Sequence, residues 1–328
     1  MKRIASSIAA AVVLFAAGIS VSPPVHAQGT YPNKPIRLIV PYAAGGGADV
    51  IARPISVKLS EVLGQPILYD NRGGGGGLIG AEAVARSAPD GYTFLVAAGN
   101  TNVFAALLNE KIAYDQVKDF QPITQFDTTP NVLISNPNFS PKNMKELIAY
   151  ARANPGKINW GHSGAGSGGH LSILQLMGEH NIKVLPIAYK GAGPAVTATL
   201  SGENDLMFIN PGVVIANIKA GKLRPLGFAG AKRLPTLADV PTIDEQGFPG
   251  FDSSNFKGLM APAGTPRPIV NRIHGELVKI VHSPDNVARM LAAGSLPVGN
   301  TPEQFTEMLR VEVAKWGKII KDNNIKAE

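Results

Sequence analysis

The sequence predicts an α/β protein built as two lobes, each a mixed, mostly parallel sheet flanked by helices. Three observations carry this prediction. Short β-branched runs alternate with segments of helical periodicity, the pattern of a largely parallel sheet covered by helices. One unit, a strand followed by a Gly-rich loop and a helix, occurs twice about 120 residues apart. The chain has 328 residues, room for two domains at ~100–200 residues each.

Strands are expected at Ile36–Val40, Pro66–Tyr69, Thr93–Ala97, Val132–Ser135, Lys157–Trp160, Leu185–Tyr189, Asp205–Ile209 and Lys257–Ala261. Helices are expected at Val50–Leu63, Ile79–Arg86, Met144–Ala153, Leu171–His180, Ala192–Ser201, Pro211–Ala220, Pro268–Val281 and Pro302–Lys321. The last helix has the fullest signature. Thr301 is placed as its N-cap, Pro302 suits the first turn, and Gln304 completes a capping box. Phe305, Leu309, Val313, Trp316 and Ile320 then recur at helical spacing and form one apolar face.

Residues 1–27 read as a secretory signal. Lys2 and Arg3 precede the apolar run Ala9–Ala17, and Val25-His26-Ala27 supplies a small-residue cleavage site. The run is too short for the ~20 residues of a membrane span. Cleavage leaves 301 residues and lowers the net charge from +7 to +5. An exported chain meets neither NAD nor ATP. Its dispersed charges, with no Lys/Arg runs among aromatics, speak against a nucleic-acid partner. Cysteine is absent, which excludes a disulfide framework, a thiolate zinc site, a cysteine nucleophile and a lipoprotein anchor. A soluble periplasmic protein is expected, acting as a monomer.

The repeated unit concentrates the chemistry. Ile36–Val40 runs into Pro41–Gly47, and Lys157–Trp160 runs into Ser163–Gly169. Each loop opens a helix, whose first N–H groups are unpaired and carry partial positive charge. Glycine lets a ligand approach that backbone, so each loop suits a carboxylate or phosphate. The competing reading is that the glycines merely satisfy turns. In open α/β sheets ligands sit at the carboxyl edge of the strands, so two such loops facing each other define a cleft. Asn100 and Thr101 after one strand and Asn210 after another reach the same edge, as turn caps or as ligand donors.

Other chemistries find less support. Gly75-x-Gly77-x-x-Gly80 and Gly164-x-Gly166-x-x-Gly169 match the dinucleotide pattern, but neither following strand ends in the required acid. Ala165-Gly166-Ser167-Gly168-Gly169 resembles a nucleophile elbow, so an exported serine hydrolase using Ser167 or Ser163 is the alternative function. The histidines after it lie on or beside helices, with no acid and late loop His to complete a triad. The six His form no metal motif, so no metal and no cofactor are expected.

Across the mature chain, ordered segments resemble the Bug-type (Bordetella uptake gene) receptors, periplasmic solute-binding proteins of tripartite tricarboxylate transporters. The matching segments are Lys34–Asp49 (KPIRLIVPYAAGGGAD), Asp70–Thr93, Lys157–Leu171 (KINWGHSGAGSGGHL), Tyr189–Pro194, Ile218–Leu223, Arg233–Gly250 and Gly258–Pro266. The resemblance implies a type II, venus-flytrap binding protein without enzymatic activity that encloses a carboxylate and delivers it to membrane permease subunits. It implies that Tyr42, Ala43, Ala44, Gly45, Gly46 and Gly47 hold the carboxylate largely through backbone N–H groups and ordered water. Ser163, Ala165, Gly166 and Ser167 would reach it from the other lobe, with Asn100 and Thr101 facing the cleft. Ile209 stands where many members have an acid before the Asn, which weakens an amino-acid ligand. The family plan sets lobe 1 as 28–128 plus 253–328 and lobe 2 as 129–252. Phe126–Pro130 and Phe251–Phe256 then form the hinge.

Overall fold

Two sheets organise the computed structural model, which describes residues 31–42, 44, 47–109 and 111–326. The signal segment, and Ala43, Gly45 and Gly46 of the first loop, lie outside the described residues. In the first sheet β1 (Ile36–Val40) pairs in parallel with both β2 (Ile67–Asn71) and β3 (Thr93–Ala98). Antiparallel β10 (Asn255–Pro262) lies between β3 and β4 (Phe120–Thr129), and β11 (Leu296–Pro297) closes the edge. The order is β11-β4-β10-β3-β1-β2.

The second sheet repeats the plan. Here β6 (Asn159–His162) pairs in parallel with β7 (Leu185–Ala188) and β8 (Leu206–Ile209). Antiparallel β5 (Asn131–Ser135) lies between β8 and β9 (Arg224–Ala229), in the order β7-β6-β8-β5-β9. In each sheet an antiparallel strand, β10 in the first and β5 in the second, is the one that arrives from the other sheet. Only Pro130 separates β4 from β5, and the return runs through residues 230–254 before β10 begins.

Helices cover the sheets. They are α1 (Gly47–Leu63), α2 (Leu78–Ala85), α3 (Ala106–Leu108), α4 (Met144–Ala153), α5 (Gly168–His180), α6 (Ala192–Ser201), α7 (Pro211–Lys219), α8 (Arg267–Val281), α9 (Pro284–Ala292) and α10 (Pro302–Asp322). A π-helical turn, Asn100–Ala105, leads directly into α3. Because helices pack on both faces, the central strands are buried almost throughout, as in Ile36, Leu38, Ile39 and Val40. The capping box of α10 forms: Gln304 N–H donates to Thr301 Oγ1 at 3.2 Å and Thr301 N–H to Gln304 Oε1 at 3.0 Å. Phe305, Leu309, Trp316 and Ile320 are buried in the core of the first sheet, where Trp316 meets Phe104 edge-on at 5.3 Å.

Strands β4 and β9 and helix α9 are elements that the sequence pattern does not disclose. Strand β4 contains Gln121, Pro122, Thr124, Gln125 and Asp127, which break any apolar run. Its polar groups are satisfied by partners distant in sequence. Lys257 on β10 donates from Nζ to Asp127 Oδ2 at 2.7 Å and to Thr129 Oγ1 at 3.0 Å. The Lys257 backbone N–H donates to Asp127 Oδ1 at 2.9 Å. Thr129 Oγ1 also pairs with Ser295 Oγ at 2.7 Å. The ion pair is buried, with side-chain exposures of 10% for Lys257 and 0% for Asp127. Lys257→Met leaves a buried, uncompensated carboxylate, and denaturant unfolding is expected to show a loss of about 3–5 kcal/mol. Pairing it with Asp127→Leu is expected to restore most of that loss, because no charge is then stranded.

Candidate functional site

The carboxyl ends of β1 and β3 in one sheet, and of β6 and β8 in the other, open onto one cleft. Its outer part is a cavity of about 490 Å³ bounded by Pro41, Tyr42, the Gly73–Gly77 loop, Phe104 and Leu108 on one side and Ala165, Gly166 and Ser167 on the other. An inner part of about 180 Å³ continues to the crossing strands, where Thr129, Asn131, Ser253 and Asn255 line it with Ser163, Phe208 and Asn210. Asn100, Phe104 and Ser167 border both parts.

The residues expected from the sequence are therefore mostly brought together. Tyr42, Asn100, Ala165, Gly166 and Ser167 line the outer cavity, and Asn100, Ser163, Ser167 and Asn210 line the inner one. Thr101 is buried behind them. Gly47 begins α1, while Ala44 is exposed and borders neither cavity. The Gly73–Gly77 loop, Phe104, Leu108, Asn131, Ser253 and Asn255 also line the cleft, and sequence reasoning missed them. One signal was available for the loop: Gly74, Gly75, Gly76 and Gly77 are consecutive and all adopt positive φ. For Phe104 and Leu108 there was none, since a π-helical turn has no sequence signature of its own.

Tyr42 is held by a relay. Its hydroxyl donates to Thr101 Oγ1, which donates to Gly76 O at 3.0 Å, and Asn71 Nδ2 donates to Tyr42 O at 3.0 Å. The loop after β1, the Gly-rich loop before α2 and the π-helical turn are thus tied at one point. Burial pushes the Tyr42 phenol up to about 12, so it stays a neutral donor.

The cleft offers hydrogen-bond donors. Asn255 Oδ1 accepts from the backbone N–H of Gly99 at 3.1 Å and of Phe256 at 2.8 Å, which fixes the direction of its amide. Its Nδ2 then donates to Asn100 Oδ1 at 2.9 Å, leaving the Asn100 amide N–H for the cleft. Asn210 Oδ1 accepts from Gly212 N–H at 2.8 Å as the cap of α7, which leaves its Nδ2 in the same way. Ser167 Oγ accepts from His170 N–H at 3.3 Å as the cap of α5, and its own O–H is left to donate. Ser253 Oγ is buried without a partner. Among the described residues, neither cavity is lined by Lys, Arg, Asp or Glu. Lys190 is exposed and lines neither, and Asp49 is turned to Arg53 at 2.8 Å. Such a site holds an anion by directed hydrogen bonds rather than by a countercharge.

The same geometry bears on the serine alternative. Ser167 has φ −65° and ψ 155°, ordinary extended backbone, whereas a nucleophile elbow is a sharp, strained turn. His170 Nδ1 accepts from Gly166 N–H at 3.1 Å, and the ring stacked on it is His162 rather than a carboxylate partner. Among the described residues, no group of three or more His, Asp or Glu stands in a metal-binding arrangement.

The model of one protein family, the tripartite tricarboxylate transporter family receptor, matches residues 51–325. The chain belongs to that family. BugT of Bordetella pertussis is 34% identical over 320 residues, which cover 97% of each chain. A solved structure described as R. palustris Rpa4515 with adipate is 32% identical, with a TM-score of 0.74, and the match covers 90% of this chain and 99% of that one. MatC from Rhodopseudomonas palustris with bound malate is 32% identical, with a TM-score of 0.70, covering 88% and 100%. The two-lobed binding-protein fold and the Bug-type resemblance both hold. Among the described residues of this receptor, no helix is long and apolar enough to cross a membrane.

Thr101 is the junction of the relay, so Thr101→Val is expected to cost about 1–3 kcal/mol of unfolding free energy by stranding two polar groups. Tyr42→Phe removes one of the same bonds. The double variant should therefore cost less than the sum of the singles, and a double-mutant cycle with coupling of about 1 kcal/mol checks the relay.

Proposed function

We propose that this receptor encloses a small carboxylate between its lobes and presents it to the membrane subunits of a tripartite tricarboxylate transporter. The observation that carries the reading is the cleft itself: uncharged, rich in N–H and O–H donors, and bordered by the carboxyl ends of strands from both sheets. The adipate and malate held by relatives belong to the same chemical class as the ligand that this donor set would accept. Lobe 1 is taken as residues 28–128 with 253–328 and lobe 2 as 129–252, with Phe126–Pro130 and Phe251–Phe256 as the hinge. Residues 1–27 would be removed on export, and the protein would act in the periplasm. The receptor would act as a monomer. The receptor binds without turnover.

Contacts across the cleft support closure by hinge motion. A Cβ added at Gly166 would fall 2.3 Å from Leu108 Cδ1, and one at Gly168 would fall 3.4 Å from the Phe104 ring. The lobe 2 loop thus rests on the π-helical segment of lobe 1.

Titration with mono-, di- and tricarboxylates, malate and adipate among them, tests the reading. A cognate ligand at a hundredfold excess over its Kd is expected to add about 2.7 kcal/mol to the unfolding free energy. It should be recovered chemically unchanged. Flat thermal and calorimetric responses to the whole panel would sink the proposal, and labelling of Ser167 by a fluorophosphonate would favour the hydrolase instead. Gly166→Ala adds both the Leu108 clash and a side chain at φ 69°. It is expected to weaken carboxylate binding by about tenfold or more, since positive φ alone costs roughly 1–2 kcal/mol. Gly166→Ala combined with Leu108→Ala should recover part of that loss.

A further inference from the structure

We propose that His162 and His170 form a clamp that positions the Gly164–Gly166 turn, making His170 a positioning residue for ligand binding. The proposal rests on the receptor reading above, because Ala165, Gly166 and Ser167 are the lobe 2 face of the outer cavity.

The two imidazoles stack with centroids 4.3 Å apart and planes 12° from parallel. His162 ends β6 and is buried, while His170 lies in the first turn of α5. Each ring addresses the backbone of the turn. His162 Nδ1 lies 2.9 Å from Gly164 O. A carbonyl only accepts, so this nitrogen carries the proton. His170 Nδ1 lies 3.1 Å from Gly166 N–H, which only donates, so that nitrogen is bare and Nε2 is protonated. The backbone thereby dictates opposite tautomers for the two rings. His170 acts twice, because its own N–H donates to Ser167 Oγ at 3.3 Å.

The turn needs such a device. Gly164 has φ 123° and Gly166 has φ 69°, and glycine carries the largest backbone entropy into folding. Fixing each residue costs conformational entropy, which the ligand would otherwise have to offset on binding. A stacked ring with a ring-edge acceptor supplies both the wall and the hydrogen bond. Phenylalanine supplies only the first, and asparagine only the second.

Protonation opposes the clamp. A proton on His170 Nδ1 removes the acceptor and sets two donors against each other. Burial first, and then the neighbouring His162, bring His170 from its ordinary 6.5 to about 4. No other ionisable group contributes to that shift. On α10, the facing helix, Lys315 and Lys318 border a separate groove at the far end of α5, with Gln175 and Glu179. Phe104 and Leu108, which face the turn, carry no charge. The folded state favours neutral His170, so its contribution is complete above the unfolded pKa near 6.5 and declines as pH falls from there toward 4.

The test combines nitrogen NMR of the imidazoles, hydrogen exchange at Gly166 N–H, and calorimetry with malate and with adipate. Wild type, His170→Asn and His170→Phe are compared at neutral pH and near pH 5. The expected wild-type spectrum has a bare Nδ1 and a protonated Nε2 on His170 at both pH values. His170→Phe should speed Gly166 exchange and weaken binding of either dicarboxylate by about tenfold, whereas His170→Asn keeps an acceptor and should stay within about threefold of wild type. Wild type should also lose unfolding free energy in denaturant titration between neutral pH and pH 5, because the unfolded imidazole takes up a proton there while the folded one stays neutral, a loss absent from His170→Asn. Undisturbed Gly166 protection in His170→Phe overturns the clamp. Lost protection with unchanged affinity overturns its role in binding. If wild type binds neither dicarboxylate, the ligand assignment above fails, and the tautomer and exchange measurements alone decide whether the clamp exists.

Discussion

The antiparallel pair β4 and β10 is the constraint on which the rest of the molecule depends. The chain leaves the first sheet along β4 and re-enters it along β10, so both crossings begin at the same end of one strand pair. That adjacency makes the first sheet a composite of strands from both halves of the chain and lets a second sheet of the same plan form beyond it. The Lys257–Asp127 ion pair, with Thr129 and Ser295, locks the pair near that end. A buried charge needs its partner in place, so this contact penalises other registers of β4 on β10 more than an apolar contact would.

Placing the crossings side by side also places the cleft. Thr129 and Asn131 flank one crossing and Ser253 and Asn255 the other, and all four line its inner part. Farther out, Pro41 and Tyr42 after β1, the Gly-rich turn after β6 and the run before α2 approach one another from the two sheets. The site is electrically quiet because most of its asparagine and serine acceptors are occupied by backbone N–H groups or by neighbouring amides. What remains points donors at the ligand space. Each side of the cleft is backed by an aromatic pair, Phe104 edge-on to Trp316 and Phe208 stacked on Trp160.

Much of this was legible in the residues. Strands rich in Val and Ile, such as Ile36–Val40, announce themselves because burial on both faces leaves no polar alternation. The capping box at Thr301 and Gln304 and the apolar stripe of α10 were equally plain. Glycine at strand-to-helix junctions pointed to the cleft loops, and Asn210 and Ser167 sit at helix caps where such residues are favoured. Strand β4 was hidden because its polar residues look exposed until Lys257, 130 residues away, is beside Asp127. Phe104 and Leu108 were hidden because their place in the cleft comes from a π-helical turn docked on Trp316.

The sequence by itself determined the local vocabulary: which runs become strands, which helices are capped, where backbone must be bare, and which family the chain resembles. Those properties depend on neighbours a few residues apart. Tertiary structure alone decided the order of the strands, the use of Asn131, Ser253 and Asn255 in the cleft, the Tyr42–Thr101–Gly76 relay and the stacked His162–His170 pair. Each of these joins groups that become neighbours only when the sheets, turns and helices have packed. The direction of a hydrogen bond or the tautomer of a ring is set by that neighbour, not by the residue's own chemistry.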